Sequence, residues 1–208
     1  MKLSLRQKNI LYGLILGNGY LQEIGQKNAR LRLEHSEKQK EYIDWKFKEL
    51  KNVFNSRPKR IKHIHPKSKQ EYIYYRLQSN SSPILGRLRR WFYQGNRKII
   101  PQQISKLLKS PLTLAIWYMD DGYYCKRDKS IRIYLPKYEK DEINLLIQAL
   151  KNNFGVDARF YCRPDKESCQ LNIVGENMKR FFSIISPYII RSLRYKIPSD
   201  PVTTEDEN

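Results

Sequence analysis

The sequence predicts an α+β chain built from two related halves, and three observations predict it. Residues 114–122 read L-A-I-W-Y-M-D-D-G, an apolar run ending on paired carboxylates. Residues 11–19, L-Y-G-L-I-L-G-N-G, align with it position for position and set Asn18 against Asp121. Late in its own half, each copy is followed by a lysine shortly before a proline: R-K-I-I-P at 97–101 and Y-K-I-P at 195–198. The periodicity after each copy also runs in one order, hairpin, helix, hairpin, helix, which makes each half one repeat of the fold.

Taken in order, Ser4 caps a helix running to about Leu16, with Ile10, Leu11, Leu14 and Ile15 on one side. Gly17 and Gly19 stop it, and the Gly13–Gly17 spacing lets a second helix approach closely. Residues 20–24 and 29–34 read as a hairpin in which A-R-L-R-L-E alternates, placing Arg30 and Arg32 on its polar face. A helix opening at Ser36 or Glu37 carries Tyr42, Trp45, Phe47, Leu50 and Val53 at helical spacing. Residues 57–65 form a cationic strand with Lys59, Arg60 and Lys62, Lys69 lies in the turn, and residues 71–78 pair back. Ser81, Ser82 and Pro83 start the helix 84–93.

Residues 99–110 are read as a linker between units 1–98 and 111–200, with a short helix at 102–108. Pro111 sits in the first turn of the second apolar helix. After it come the hairpin 122–125 and 130–135, a helix 140–154, and a hairpin 157–162 and 169–174 turning through P-D-K-E-S. The helix 177–185 and an irregular path to Lys196 follow. The acidic, aperiodic residues 201–208 are expected to be a disordered tail.

Forty Lys and Arg against 21 Asp and Glu leave a formal charge of +19. That excess calls for a polyanionic partner, because each phosphate neutralised releases condensed counterions. The cations are spread along the chain, which points to a folded basic surface and not a basic arm. Cys125, Cys162 and Cys169 show no C-x-x-C spacing and are odd in number, so the expectation is neither a disulfide framework nor a zinc site, and a reducing compartment. His63 and His65 form an H-x-H, with only His35 besides, and do not favour zinc. No apolar run reaches a membrane span and no signal peptide is read at the N-terminus, so an intracellular protein is expected. The richness in Lys, Ile, Asn and Tyr hints at an AT-rich, organellar genome.

The paired nine-residue motifs and their following lysines resemble the LAGLIDADG homing endonucleases, most closely the intron-encoded, two-motif, single-chain branch. The resemblance implies two αββαββα units in one chain, with the motif helices packed at the centre and the β-sheets forming a DNA-binding saddle. It makes Asp121 the metal-binding aspartate and puts Asn18 at the equivalent place. With the main-chain carbonyls at Gly17 and Asp120, these would hold Mg²⁺, which binds through one or two acidic groups plus substrate phosphates. Lys98 and Lys196 match the family's basic residues beside the metal, where an ammonium stabilises charge on the phosphate or polarises water. The implied function is site-specific cleavage of a long asymmetric duplex by a monomer.

Asn18 departs from the pattern, because an amide offers an oxygen without charge. Several outcomes stay open: a nickase, a non-cutting DNA- or RNA-binding descendant such as a maturase for its host intron's RNA, a catalyst that tolerates Asn, or a residue engineered to trap a complex. The candidate reading surface is the four hairpins, with Arg30, Arg32, Arg60, Lys62, Lys69, Tyr74, Arg76, Arg127, Arg132, Arg159, Tyr161 and Arg163 facing outward. Twisted ribbons enter the major groove, where Arg reads guanine.

Overall fold

A computed structural model describes residues 2–162 and 169–198. Arg163, the P-D-K-E-S turn and the tail 201–208 lie outside the described residues. The first half runs α1 (Leu5–Leu16), β1 (Tyr20–Ile24), β2 (Asn28–Ser36), α2 (Lys40–Glu49), β3 (Lys59–Ile64), β4 (Glu71–Gln78) and α3 (Pro83–Phe92). A two-residue hairpin, β5 (Tyr93–Gln94) and β6 (Arg97–Lys98), and a short α4 (Ile104–Leu107) lead into the second half. That half repeats the order as α5 (Pro111–Asp121), β7 (Gly122–Cys125), β8 (Ser130–Leu135), α6 (Lys140–Phe154), β9 (Arg159–Cys162), β10 (Cys169–Val174) and α7 (Gly175–Ile185). The sheets share one antiparallel plan, β1-β2-β4-β3 and β7-β8-β10-β9.

α1 begins where Ser4 and Gln7 close a capping box, each side chain satisfying the other's backbone N–H. It packs along α5 at the centre of the molecule, and the glycines explain how closely. A Cβ on Gly13 would lie 2.7 Å from the Thr113 carbonyl oxygen and 2.8 Å from Ile116 Cβ, and one on Gly17 would lie 2.6 Å from Asp120 Cβ. Thr113 Oγ1 uses the gap to donate to the Asn9 carbonyl at 3.0 Å. α5 is apolar nearly all round, and α1 is so over its C-terminal half from Ile10, the part enclosed with α5 between the two sheets.

The residues read as linker are packed: Ile100, Ile104, Leu107 and Leu108 are buried, and α4 lies on α6. Asn153 Nδ2 fixes this segment by donating to the Ser105 and Leu108 carbonyls at 2.8 and 2.7 Å. The expectation of unpaired cysteines is corrected as well. The register of β9 and β10 sets Cys162 directly opposite Cys169, and the two are joined as a disulfide. Looking for a short C-x-x-C spacing misses a pair brought together across a hairpin. Cys125 is free and buried. Among the described residues, no helix is long and apolar enough to cross a membrane.

Candidate active site and nucleic-acid face

α1 and α5 end side by side, and each delivers its last motif residues to one place. Asn18 is exposed at the first end. Its backbone N–H donates to Asp120 Oδ2 at 3.1 Å, so the second motif's aspartate caps the first motif's turn. Gly19 N–H is engaged with the Leu14 carbonyl at 2.6 Å, which holds Asn18 on a fixed backbone.

Two local structures bring the lysines back to these ends. The β5–β6 hairpin turns at Gly95, whose φ of +59° suits glycine, and presents Lys98 Nζ to the Gly17 carbonyl at 2.7 Å. A 3₁₀ segment, Arg191–Lys196, presents Lys196 Nζ to the Met119 carbonyl at 2.6 Å and the Asp120 carbonyl at 3.5 Å. Tyr118 fixes that segment by donating its hydroxyl to the Lys196 carbonyl. The two lysines therefore stand on the C-terminal carbonyls of the two motif helices, where the helix dipole favours a cation.

Asp121 is the group these lysines surround. Among the described residues its carboxylate has no hydrogen-bond or ion-pair partner. Burial, reinforced by the neighbouring Asp120 charge, pushes it up to about 7 against the pull of Lys98 and Lys196. Burial likewise brings Lys98 down to about 8, opposed by Asp121 and Asp120. Desolvation outweighs attraction on both sides of this pair, because neither group is close enough to the other to bond.

The sign of the consequence follows from linkage. The folded carboxyl of Asp121 keeps its proton up to about pH 7, whereas the unfolded one releases it near 3.8. Stability is therefore lost as pH rises between those values, by up to about 1.4 kcal/mol per pH unit, and the loss levels off above pH 7. Asp121→Asn in chelator-treated protein should melt with the wild type near pH 4 and above it by about 1–3 kcal/mol at pH 8. Parallel melting curves across that range would contradict the half-buried, unpartnered carboxyl.

Asp120 plays a different part from Asp121. Its side chain is wholly buried and its Oδ1 accepts from Lys46 Nζ of α2 at 2.7 Å. Lys46, itself fully buried, also donates to His35 Nε2 at 2.7 Å and lies 3.9 Å from the Tyr42 ring centroid. His35 Nδ1 faces Gln39 Oε1 at 2.8 Å. Burial and the Lys46 charge bring His35 down to about 4, so it is neutral at pH 7 and accepts through Nε2. Burial lowers Lys46, against the attraction of Asp120. For Asp120, burial acts upward but is outweighed by Lys46, His35 and the Asn18 N–H, which hold it below its ordinary value. With acceptors at 2.7 Å on two sides, the ammonium form of Lys46 and the anionic form of Asp120 are the consistent pair. The Asp120 carboxylate is thus committed to structure, which leaves its main-chain carbonyl for the metal role that the family resemblance implies. Lys46 was missed because one lysine in a helix with several others carries no signal of burial; its spacing from Tyr42 and Ile43 on the inward face was the available clue.

The outward faces of the sheets collect most of the residues expected to read nucleic acid. On the first, Arg30, Arg32 and Glu34 of β2 share a face with Tyr74 and Arg76 of β4, and Lys59 and His63 of β3 join them. Glu34 organises this face, taking Arg76 Nε at 2.8 Å and His63 Nε2 at 2.9 Å. On the second, Arg132 lies beside Tyr123 and Asn172, and Arg159 and Tyr161 extend the row. Tyr20 and Tyr123, each two residues beyond its motif's key position, are exposed at matching places, 44% and 50%.

Arg60 and Lys62 are corrections. The β3–β4 register puts them with Tyr75 and Ile73 on the reverse side of the sheet, because strand side chains alternate and it is Lys59 and His63 that share the face of Arg76. Lys62 is paired there with Glu71 at 2.8 Å. Lys69 sits at the β3–β4 turn with φ +56°, and Arg127 at the β7–β8 turn is paired with Asp128 at 2.8 Å.

The chain belongs to the LAGLIDADG DNA endonuclease family, whose profile matches residues 8–181. It is 27% identical over 203 residues to the probable intron-encoded endonuclease 1 of Wickerhamomyces canadensis, covering 94% of this chain and 85% of that one. It is 35% identical over 106 residues to the cytochrome b mRNA maturase bI2 of Saccharomyces cerevisiae, covering 50% of this chain and 24% of that one. The homing endonuclease I-WcaI bound to its DNA recognition sequence has the same fold, with a TM-score of 0.86 at 24% identity, over 95% of this chain and 88% of that one. I-DmoI, solved in complex with DNA and Mn, aligns at a TM-score of 0.51 and 19% identity, over 86% and 96% of the two chains.

Proposed function

We propose that this chain is an intron-encoded homing endonuclease that binds a long asymmetric DNA duplex as a monomer and hydrolyses it with a divalent cation, Mg²⁺ by preference. The observation that carries the reading is Asp121, a half-buried carboxylate without a hydrogen-bond or ion-pair partner among the described residues, set among Lys98, Lys196 and the motif carbonyls at the shared end of α1 and α5.

The donor set fits a hard cation. Among the described residues, no three His, Cys, Asp or Glu side chains gather into a cage. Mg²⁺ uses one or two carboxylates and completes its shell with water and substrate phosphate. Asp121, the Asn18 amide oxygen and the carbonyls of Gly17 and Asp120 would hold it. When bound, the cation activates water and stabilises the departing oxygen. Lys98 and Lys196 bring positive charge to where a phosphate would enter. Each is held by a motif carbonyl, so little reorganisation is needed as charge develops on the phosphate. The outward arginines and tyrosines bind and orient the duplex.

Asn18 makes the two half-sites unequal, the one at Asp121 with a charged ligand and the other without. Incubation with a randomised duplex library and Mg²⁺, followed by sequencing of the cut ends, should recover one long site with short 3′ overhangs. Recovery of no site, with tight retention of an intron RNA, would favour the second reading, a maturase, for which the bI2 similarity speaks.

A further inference from the structure

The first sheet carries a second cationic surface on the side turned away from the saddle. β3 runs past the edge of the core, and its alternation puts Arg60 on the reverse face, opposite Tyr75 in the register. α2 covers the rest of that face. Between helix and strand lies a groove of about 550 Å³, with Phe47 and Tyr75 in its lining and Lys48, Lys51 and Arg57 around it. Asp44 also lines the groove but is neutralised by Lys40 at 2.6 Å. Lys48, Lys51, Arg57 and Arg60 have no ion-pair partner among the described residues. The duplex reading uses none of these groups: Tyr74 and Arg76 point one way from β4 and Tyr75 the other.

We propose that this groove binds a segment of single-stranded nucleic acid, and does so while the opposite face holds duplex DNA. The uncompensated cations match a phosphate backbone. The recess and its half-buried aromatic rings select a single strand, whose bases are free to enter and lie against a ring, over a duplex, whose bases are already stacked. The inference goes beyond the endonuclease reading, since it concerns a face that contributes nothing to the cleavage site.

The test uses the full chain, a fluorescein-labelled 12-nucleotide RNA of mixed sequence and a 24-base-pair DNA duplex, each titrated by anisotropy. Two triple variants with equal loss of charge are compared, Lys48→Gln/Lys51→Gln/Arg57→Gln in the groove and Arg32→Gln/Lys59→Gln/Arg159→Gln on the duplex face. The groove variant should weaken RNA binding at least fivefold and leave duplex binding within twofold, with the duplex-face variant doing the reverse. RNA should stay bound when duplex is added to saturation. An unchanged RNA affinity in the groove variant, an equal fall for both ligands, or stoichiometric displacement of RNA by duplex would each overturn the proposal. Failure of the endonuclease reading alone would leave the RNA result intact.

Discussion

Replacing Lys46 with methionine is expected to destabilise the fold by about 3–5 kcal/mol, the range for breaking a buried ion pair by removing one partner. The side chain sits at 0% exposure, and its loss would leave the Asp120 carboxylate, also at 0%, with only neutral donors. Removing both charges together, as Lys46→Met/Asp120→Asn, should restore most of that loss, because no buried charge is left unmatched. Denaturant unfolding of the two variants measures the difference. A single variant within about 1 kcal/mol of the wild type would mean that Lys46 is neutral, or reaches water, in the folded protein. The pair also ties α2 of the first half to α5 of the second, so the single variant should reduce cooperativity between halves as well as stability.

Converting Asp121 to asparagine should lower cleavage by at least ~10³-fold, about 4 kcal/mol of transition-state stabilisation, since on the proposed reading it removes the one anionic ligand for the cation. Duplex affinity should stay the same or rise, because a carboxylate that repels phosphate is gone. Single-turnover cleavage and gel-shift titration of the same preparation separate the two effects. Parallel losses in cutting and binding would assign Asp121 to DNA contact instead of chemistry.

The repeated motif made the doubling of the fold legible, and alternation made β2 legible, with Ala29, Leu31 and Leu33 on the core and Arg30 and Arg32 between them. α6 was equally plain, from its inward Ile143, Leu146 and Leu150. β3 was found, but which way its side chains face was not: both its sides are largely exposed, so its sequence lacks an apolar parity and only the pairing with β4 assigns Lys59 and Arg60 to opposite faces. The β5–β6 hairpin and the 3₁₀ segment at Arg191–Lys196 were too short to leave a period, yet they aim the two lysines. At the site, Asn18, Asp121, Lys98 and Lys196 were legible by analogy with the repeat. The burial of Asp120 and its union with Lys46 and His35 depend on contacts across the two halves, which no local pattern encodes.

On the proposed reading, Asn18 leaves one of two half-sites short of a charged ligand. Strand-resolved cleavage, under Mg²⁺, of the duplex recovered from the library, comparing this protein with Asn18→Asp, reads that inequality. The wild type should cut one strand faster than the other, and the variant should accelerate the slower strand by about tenfold or more, the equivalent of about 1.4 kcal/mol, while changing the faster one little. Equal rates on both strands in the wild type, unaltered by the added carboxylate, would contradict the account.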